Sequence, residues 1–284
     1  MLTDGLSQDR LQIGGWFLTE NRDTPYDGST ETSNPLRERT SVRVWLLSAD
    51  VRLTGQFGLQ VTTTVPDVTR SAIVDRPTAP FYFSETFRGV GDTSVLAWRR
   101  RPIGRWGVVF NGGISVPTGK TEAPRFRPEL DDGSLVPLSR LQRGSGTVDP
   151  IFGVSANRLI SSIFRPGVRV FTTAAARVPL VENQHGLRTG ASWEIGAGAS
   201  REIRKEWFVV IGRLSWLHRN QDRFNGTPVL VGGGDWLYFA PAVAITRQPV
   251  TIQFEAKLPL HRALSNRQLD SSATFQVGTI WKVF

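Results

Sequence analysis

A chain of 284 residues with 39% hydrophobic, 10% aromatic and 21% charged side chains is too apolar to be disordered, and its length suits one large domain or two small ones. A mean hydropathy of -0.19, with no apolar run of about 18 residues, rules out a helical membrane protein; a membrane barrel stays open, because its strands alternate. The absence of cysteine removes disulfide scaffolds, Cys-ligated zinc, iron–sulfur clusters and thiol nucleophiles, while 34 Lys plus Arg against 25 Asp plus Glu leave a net charge of +9.

In chain order, residues 1–9 read as a tail and residues 10–284 as one barrel domain. The opening MLTDGLSQDR has no positively charged stretch followed by an apolar one, so no secretory signal is present in this numbering. Period-two alternation then recurs to the end of the chain. Residues 57 to 65 set Phe57, Leu59, Val61 and Val65 against Gly58, Gln60, Thr62 and Thr64. Residues 106 to 116 set Trp106, Val108, Phe110, Ile114 and Val116 against Gly107, Asn111, Gly113 and Ser115. Further on, Trp193, Ile195, Ala197 and Ala199 oppose Glu194, Gly196, Gly198 and Ser200. Val250, Ile252, Phe254 and Leu258 oppose Thr251, Gln253, Glu255 and Lys257, and the closing stretch alternates Phe275, Val277 and Trp281 with Thr274, Gln276 and Gly278.

Twelve strands result, at roughly 10 to 19, 40 to 52, 57 to 66, 88 to 100, 105 to 117, 147 to 160, 165 to 179, 188 to 202, 206 to 219, 234 to 246, 250 to 260 and 270 to 284. Short links near Leu53 to Gln56, Arg101 to Gly104, Ser161 to Phe164, Ile203 to Lys205 and Arg247 to Pro249 alternate with long ones at 20 to 39, 67 to 87, 118 to 146, 180 to 187, 220 to 233 and 261 to 269. An up-and-down meander places all short turns at one rim and all long loops at the other. A strand of about 12 residues at roughly 3.3 Å each, tilted near 40°, stands about 30 Å tall, the thickness of a hydrocarbon slab. Strands of soluble sandwiches and propellers are about half as long. The expected fold is therefore all-β, a transmembrane antiparallel up-and-down β-barrel of about twelve strands, with short periplasmic turns, long extracellular loops and the apolar face outward. Trp98, Trp106, Trp207 and Trp281 fall near the short-turn rim and Trp16, Trp216 and Trp236 near the other, as interfacial girdles do; Trp98 and Trp207 break the parity.

Three blocks, GVGDTSVLAW at Gly89 to Trp98, GISVPTGK at Gly113 to Lys120 and GSGTVDPIFGVSAN at Gly144 to Asn157, resemble the outer-membrane barrels of the meta-pathway of phenol degradation family. The resemblance runs from about residue 40 onward. It implies an exported protein of the bacterial outer membrane whose leader has been removed, and a channel for small molecules, hydrophobic or aromatic ones among them. Phe284 is similar to the terminal aromatic that marks such barrels for the insertion machinery, although Lys282 stands where an apolar residue is usual.

Ionisable groups at membrane depth face water or one another, so by parity Asp92, Asp149, Arg169, Arg177, Arg188, Glu194, Glu202, Arg213, Glu255 and Lys257 are the candidate lumen residues. They line a pore or neutralise one another and plug it. Twelve strands give a backbone diameter of roughly 24 Å, leaving about 10 Å between side chains. The loop at 118 to 146 carries Lys120, Arg125, Arg127, Arg140 and Arg143, placed to constrict the lumen or to bind lipopolysaccharide phosphates. VPTGKT at Val116 to Thr121 lacks the first glycine of a phosphate-binding loop, Ile114 standing in its place, and is followed by prolines rather than a helix. His185, His218 and His261 sit at separate loop rims, with no metal-ligand spacing; a hydrolase would need His218 or His261 beside a serine. The arginine excess, with only four lysines, fits coding bias, anionic lipid or an anion pathway, and no compact run beyond Arg99 to Arg101 speaks for nucleic acid. The expectation is a passive outer-membrane channel without catalytic residues, metal or cofactor, in contact with lipid and lipopolysaccharide. The alternatives are a structural barrel anchoring other envelope proteins and, third, a membrane hydrolase.

Overall fold

The computed structural model describes residues 10–74, 81–121, 125–126, 135–136, 142–160, 167–204, 207–229 and 232–283. Among these, eleven long strands form the wall of a closed antiparallel barrel: β1 (Leu11–Gly28), β2 (Arg39–Arg52), β3 (Phe57–Val74), β4 (Thr93–Ile103), β5 (Trp106–Val116), β6 (Asp149–Ile160), β7 (Val168–Arg177), β8 (Ser192–Arg204), β9 (Phe208–Arg219), β10 (Gly234–Arg247) and β11 (Val250–Lys282). Each pairs with its neighbours in chain order, and β11 closes the cylinder on β1, with Gln12 opposite Lys282 and Trp16 opposite Gly278. The 33 residues of β11 fold back on themselves. Its first part pairs with β10 up to Leu264, the remainder pairs with β1, and the Lys282 N–H donates to the Pro249 carbonyl at 3.0 Å. It therefore crosses the wall twice, and the barrel has twelve passes.

The strands overrun their expected ends at the long-loop rim. Residues 20–28, 67–74 and 81–88, and the link expected at 261–269, are all strand, Phe81–Arg88 pairing with the outer part of β3. Alternation fades there because both faces are wet: Asn21 and Asp23 are exposed on one side of β1 while Glu20 and Arg22 occupy the other. Backbone pairing continues where the hydropathy signal stops. At the other rim the turns are tight; Gly104, at φ 59°, takes the left-handed conformation that joins β4 to β5. The turns expected at Ser161 to Phe164 and at Lys205 lie outside the described residues.

The wall is apolar outside. Leu47, Val61, Phe110, Phe152, Ile195, Leu214, Phe254 and Phe275 are all exposed, and their register partners share that face. Buried apolar residues point inward: Trp16, Val42, Val68, Phe171, Ile211, Trp236, Ala240 and Ala242. Large inward side chains lie over glycine on the next strand. Trp16 covers Gly278, Trp98 covers Gly58 and Phe171 covers Gly198, each pair directly opposite in register, and a Cβ on any of these glycines would strike the ring. The aromatic restores the packing that glycine lacks and lets the wall curve tightly.

An apolar outer face fixes the cost of a misplaced charge. Leu214→Arg, mid-strand and outward, is expected to destabilise the folded barrel in phospholipid vesicles by about 2–4 kcal/mol, whereas inward Ser200→Arg leaves the stability nearly unchanged. Urea titration followed by tryptophan fluorescence compares the two.

Candidate functional site

The lumen divides into three levels, and at one corner of the long-loop end buried polar groups tie loops to strands. Asp149, at the start of β6, is wholly buried; it accepts hydrogen bonds from the Thr147 hydroxyl at 2.6 Å and from Arg177 Nε at 2.9 Å. Arg177 also reaches Asp92 at 3.3 Å, and Asp92 accepts from the backbone N–H and hydroxyl of Ser145 at 2.8 and 2.9 Å. Asp92 precedes β4 rather than lying within it. Glycines bring these loops together: Gly144 packs on Gly119 and Gly91 on Thr64, with no room for a side chain at any of the three. Thus the three blocks that carry the family resemblance meet in one corner of the rim. A second knot lies beside it, where buried Asp222 accepts from the Gly190 N–H at 2.7 Å and from Arg219 at 2.8 Å, and the Asn183 side chain donates to the Ser145 carbonyl at 3.0 Å.

From mid-height to the long-loop end four ion pairs run along one wall, on β8, β9, β11 and β1. Arg22 pairs with Glu20, Arg213 with Glu255 at 2.9 Å, Lys257 with Glu194 at 3.6 Å and Arg262 with Asp270 at 3.5 Å, so the four positive and four negative charges cancel. Aromatic groups are threaded through them: Lys257 lies 4.2 Å from the Tyr238 ring centroid, Arg262 the same distance from Tyr26, and the Trp236 indole donates to Asp270 at 2.9 Å. On the facing wall Thr62, Leu96, Gly113, Gly153, Thr173 and Ala175 are uncharged inward positions, but the ladder through Thr62 reaches Asp149 on β6 and the ladder through Leu96 and Gly113 reaches Arg177 on β7. Below the ion pairs a cavity of about 430 Å³ opens inside the barrel; Trp98, Phe171 and Ile211 line it together with Gln60, Arg100, Asn111, Arg169 and Lys282, and it reaches Glu194 and Arg213. Asp50, on its wall, accepts a hydrogen bond from the Trp98 indole at 3.2 Å.

Of the ten lumen candidates, Asp149, Arg169, Arg177, Glu194, Glu202, Arg213, Glu255 and Lys257 share the inward parity of the wall, and Asp92 sits at its inner rim. Arg188 does not belong to the wall. It lies in the short strand Leu187–Arg188, paired with Arg223–Phe224 in a small loop sheet, because β8 begins only at Ser192. Of the loop basics, Lys120 is exposed and Arg143 donates to the Arg88 carbonyl at 3.1 Å beside Gly89, while the side chains of Arg125, Arg127 and Arg140 and the terminal Phe284 lie outside the described residues. Glu20, Arg22, Tyr26 and Arg262 escaped the sequence reading because they fall in stretches taken for links; carrying the parity of Trp16 and Leu18 forward would have reached Glu20 and Arg22. Trp98, off parity as a girdle residue, is inward.

His218 bonds Asp235 and Asn220, each at 2.9 Å, and stacks on Trp193 on the outer face of the wall; no serine among the described residues is bonded to it. His261 also points outward, opposite Leu237. Among the described residues no cluster of His, Cys, Asp or Glu is arranged to hold a metal ion. The Thr118–Thr121 segment forms no helix; the Thr118 hydroxyl donates to the Gly91 carbonyl at 2.7 Å, a rim contact rather than a phosphate cradle.

No family model and no curated protein matches the chain, so the phenol-degradation family remains a resemblance. Among solved structures, the chain is similar to an outer membrane channel from Pseudomonas putida F1, at 12% identity and a TM-score of 0.70, over 97% of this chain and 96% of that one. The translocator domain of the autotransporter NalP from Neisseria meningitidis matches at 10% identity and a TM-score of 0.49, over 99% and 92%. A FadL homologue from Pseudomonas aeruginosa matches at 6% identity and 0.47, over 98% and 91%. The chain thus has the closed-barrel fold of outer-membrane proteins.

The rim knot is a structural device with a measurable weight. Asp149→Ala leaves Arg177 without its nearer partner and is expected to cost about 2–3 kcal/mol in a urea titration, below the full penalty of a buried pair because Arg177 is 37% exposed and water screens it. Asp149→Asn, which keeps an acceptor for Thr147, recovers part of that loss.

Proposed function

We propose that this protein is a bacterial outer-membrane channel through which small molecules, including hydrophobic and aromatic ones, pass passively. The observation that carries the reading is the lumen itself: an apolar outer wall encloses a cavity of about 430 Å³ beneath a belt of four compensated ion pairs. Charges at that depth are tolerated where water or partner charges meet them. The four pairs sum to zero, whereas the cavity beneath them is lined by Arg52, Arg100, Arg169, Arg213 and Lys282 against Asp50 and Glu194, so its field favours anions. Trp98, Phe171 and Ile211 give an apolar body a surface to slide along, and Gln60 and Asn111 give polar groups a partner. The likeness to the Pseudomonas putida F1 channel supports the same reading at the level of fold. Contact with lipid and lipopolysaccharide, and recognition of Phe284 by the insertion machinery, follow from the same placement.

Single-channel recording in planar bilayers, combined with flux of aromatic solutes into vesicles, tests the proposal. The wild-type barrel is expected to conduct with a modest preference for anions. Glu255→Gln, which leaves Arg213 uncompensated, shifts the reversal potential toward anion selectivity, and Arg213→Gln shifts it the other way. A folded, inserted barrel with neither current nor solute flux would defeat the channel reading and favour a closed barrel that serves as an anchor.

A further inference from the structure

The run Arg99 to Arg101 is divided by the wall. Arg100 points inward and lines the cavity, while Arg99 and Arg101 share the outward parity of Val95 and are exposed. They are not alone on that face. Arg158 on β6 is outward with Phe152 and Val154, Arg201 on β8 with Ile195 and Ile203, and Arg247 on β10 with Val243 and Ile245. All five arginines lie toward the short-turn ends of strands that run in the same direction. Alternate strands stand about 10 Å apart, so the guanidinium groups are spaced along an arc of about 30 Å.

Four of the five have no counter-charge among the described residues. Among the described residues Arg99, Arg101, Arg158 and Arg247 form no ion pair, and every outward carboxylate of the wall, Asp23, Asp27, Asp67 and Asp235, lies at the long-loop ends, where Asp67 faces Arg88 and Asp235 faces His218. Trp106, Trp207 and Trp281 are exposed at the same short-turn rim, and Arg204 lies 5.2 Å from the Trp207 ring centroid. Exposed tryptophans mark the level at which hydrocarbon gives way to head groups. An arginine fork at that level meets phosphate oxygens two at a time, a geometry that lysine does not offer.

We propose that this one-sided arginine belt is a binding surface for the head groups of anionic glycerophospholipids in the leaflet that the short turns face. The proposal rests on the membrane reading of the barrel and goes beyond the channel reading. Phosphatidylglycerol sets its phosphodiester against the paired Arg99 and Arg101 or against Arg158, its acyl chains lying along Val95, Phe110 and Phe152 above them. Each basic residue near an anionic lipid surface multiplies the local preference by up to about fivefold. The same surface anchors the short-turn rim at a fixed depth, because lifting it would strip phosphate from several guanidinium groups at once.

Bilayers of phosphatidylethanolamine carrying spin-labelled phosphatidylglycerol or spin-labelled phosphatidylcholine test the belt, with the heat-modifiable gel shift as the readout of insertion and folding. The wild-type barrel is expected to immobilise phosphatidylglycerol several-fold more than phosphatidylcholine, with the preference weakening in high salt. In the variant Arg99→Gln/Arg101→Gln/Arg158→Gln the ratio falls toward unity, and the corresponding triple lysine variant, which keeps the charge without the fork, retains part of it. Equal uptake of both lipids by an inserted wild-type barrel, or an undiminished preference in the glutamine variant, overturns the proposal while the membrane reading stands. A chain that enters no bilayer of any composition overturns the reading beneath it as well.

Discussion

Every part of this molecule depends on the pairing of β11 with β1. In hydrocarbon no water is available to the peptide groups, and each unpaired N–H or C=O costs several kcal/mol, so a sheet crosses a membrane only when it has no edge. The bonds between Gln12 and Lys282 and onward to Gly28 and Leu264 remove that edge. Once the cylinder is closed, inside and outside become chemically separate solvents. Parity then decides the environment of every side chain, because a step of one residue moves it from lipid to lumen.

That separation explains a body whose greasy side chains are exposed and whose charges are buried. Leu214 and Arg213 are neighbours in the chain; one faces lipid and the other pairs with Glu255 inside. The interior is not packed as a protein core is. It is filled by aromatic rings laid over glycines, Trp16 on Gly278 and Phe171 on Gly198, and by ion pairs crossing from strand to strand. The short spacing that glycine permits and the breadth of the rings thus shape the lumen.

The two rims are built for different surroundings. At the long-loop rim, Asp149, Asp222 and Asn183 are buried in knots that tie loops to strands, and strands continue well past the apolar band. At the short-turn rim the links are tight, tryptophans ring the wall and arginines face outward.

Much of this was legible in the residue order. Alternation of period two, its length of about a dozen residues and the regular exchange of short and long links define the strands, their order around the wall and which face meets lipid, because each strand carries that pattern within itself. The inward parity of Glu194, Arg213, Glu255 and Lys257 follows from the same local signal. What lay beyond it was decided by assembly: that Arg213 meets Glu255 rather than Glu194, that Arg177 bridges Asp92 and Asp149, that Arg188 stands in a loop sheet, and that Glu20 and Arg22 belong to the wall. Such partnerships join positions as far as 85 residues apart, and they depend on the stagger of one strand against the next, a quantity set only when the whole cylinder closes.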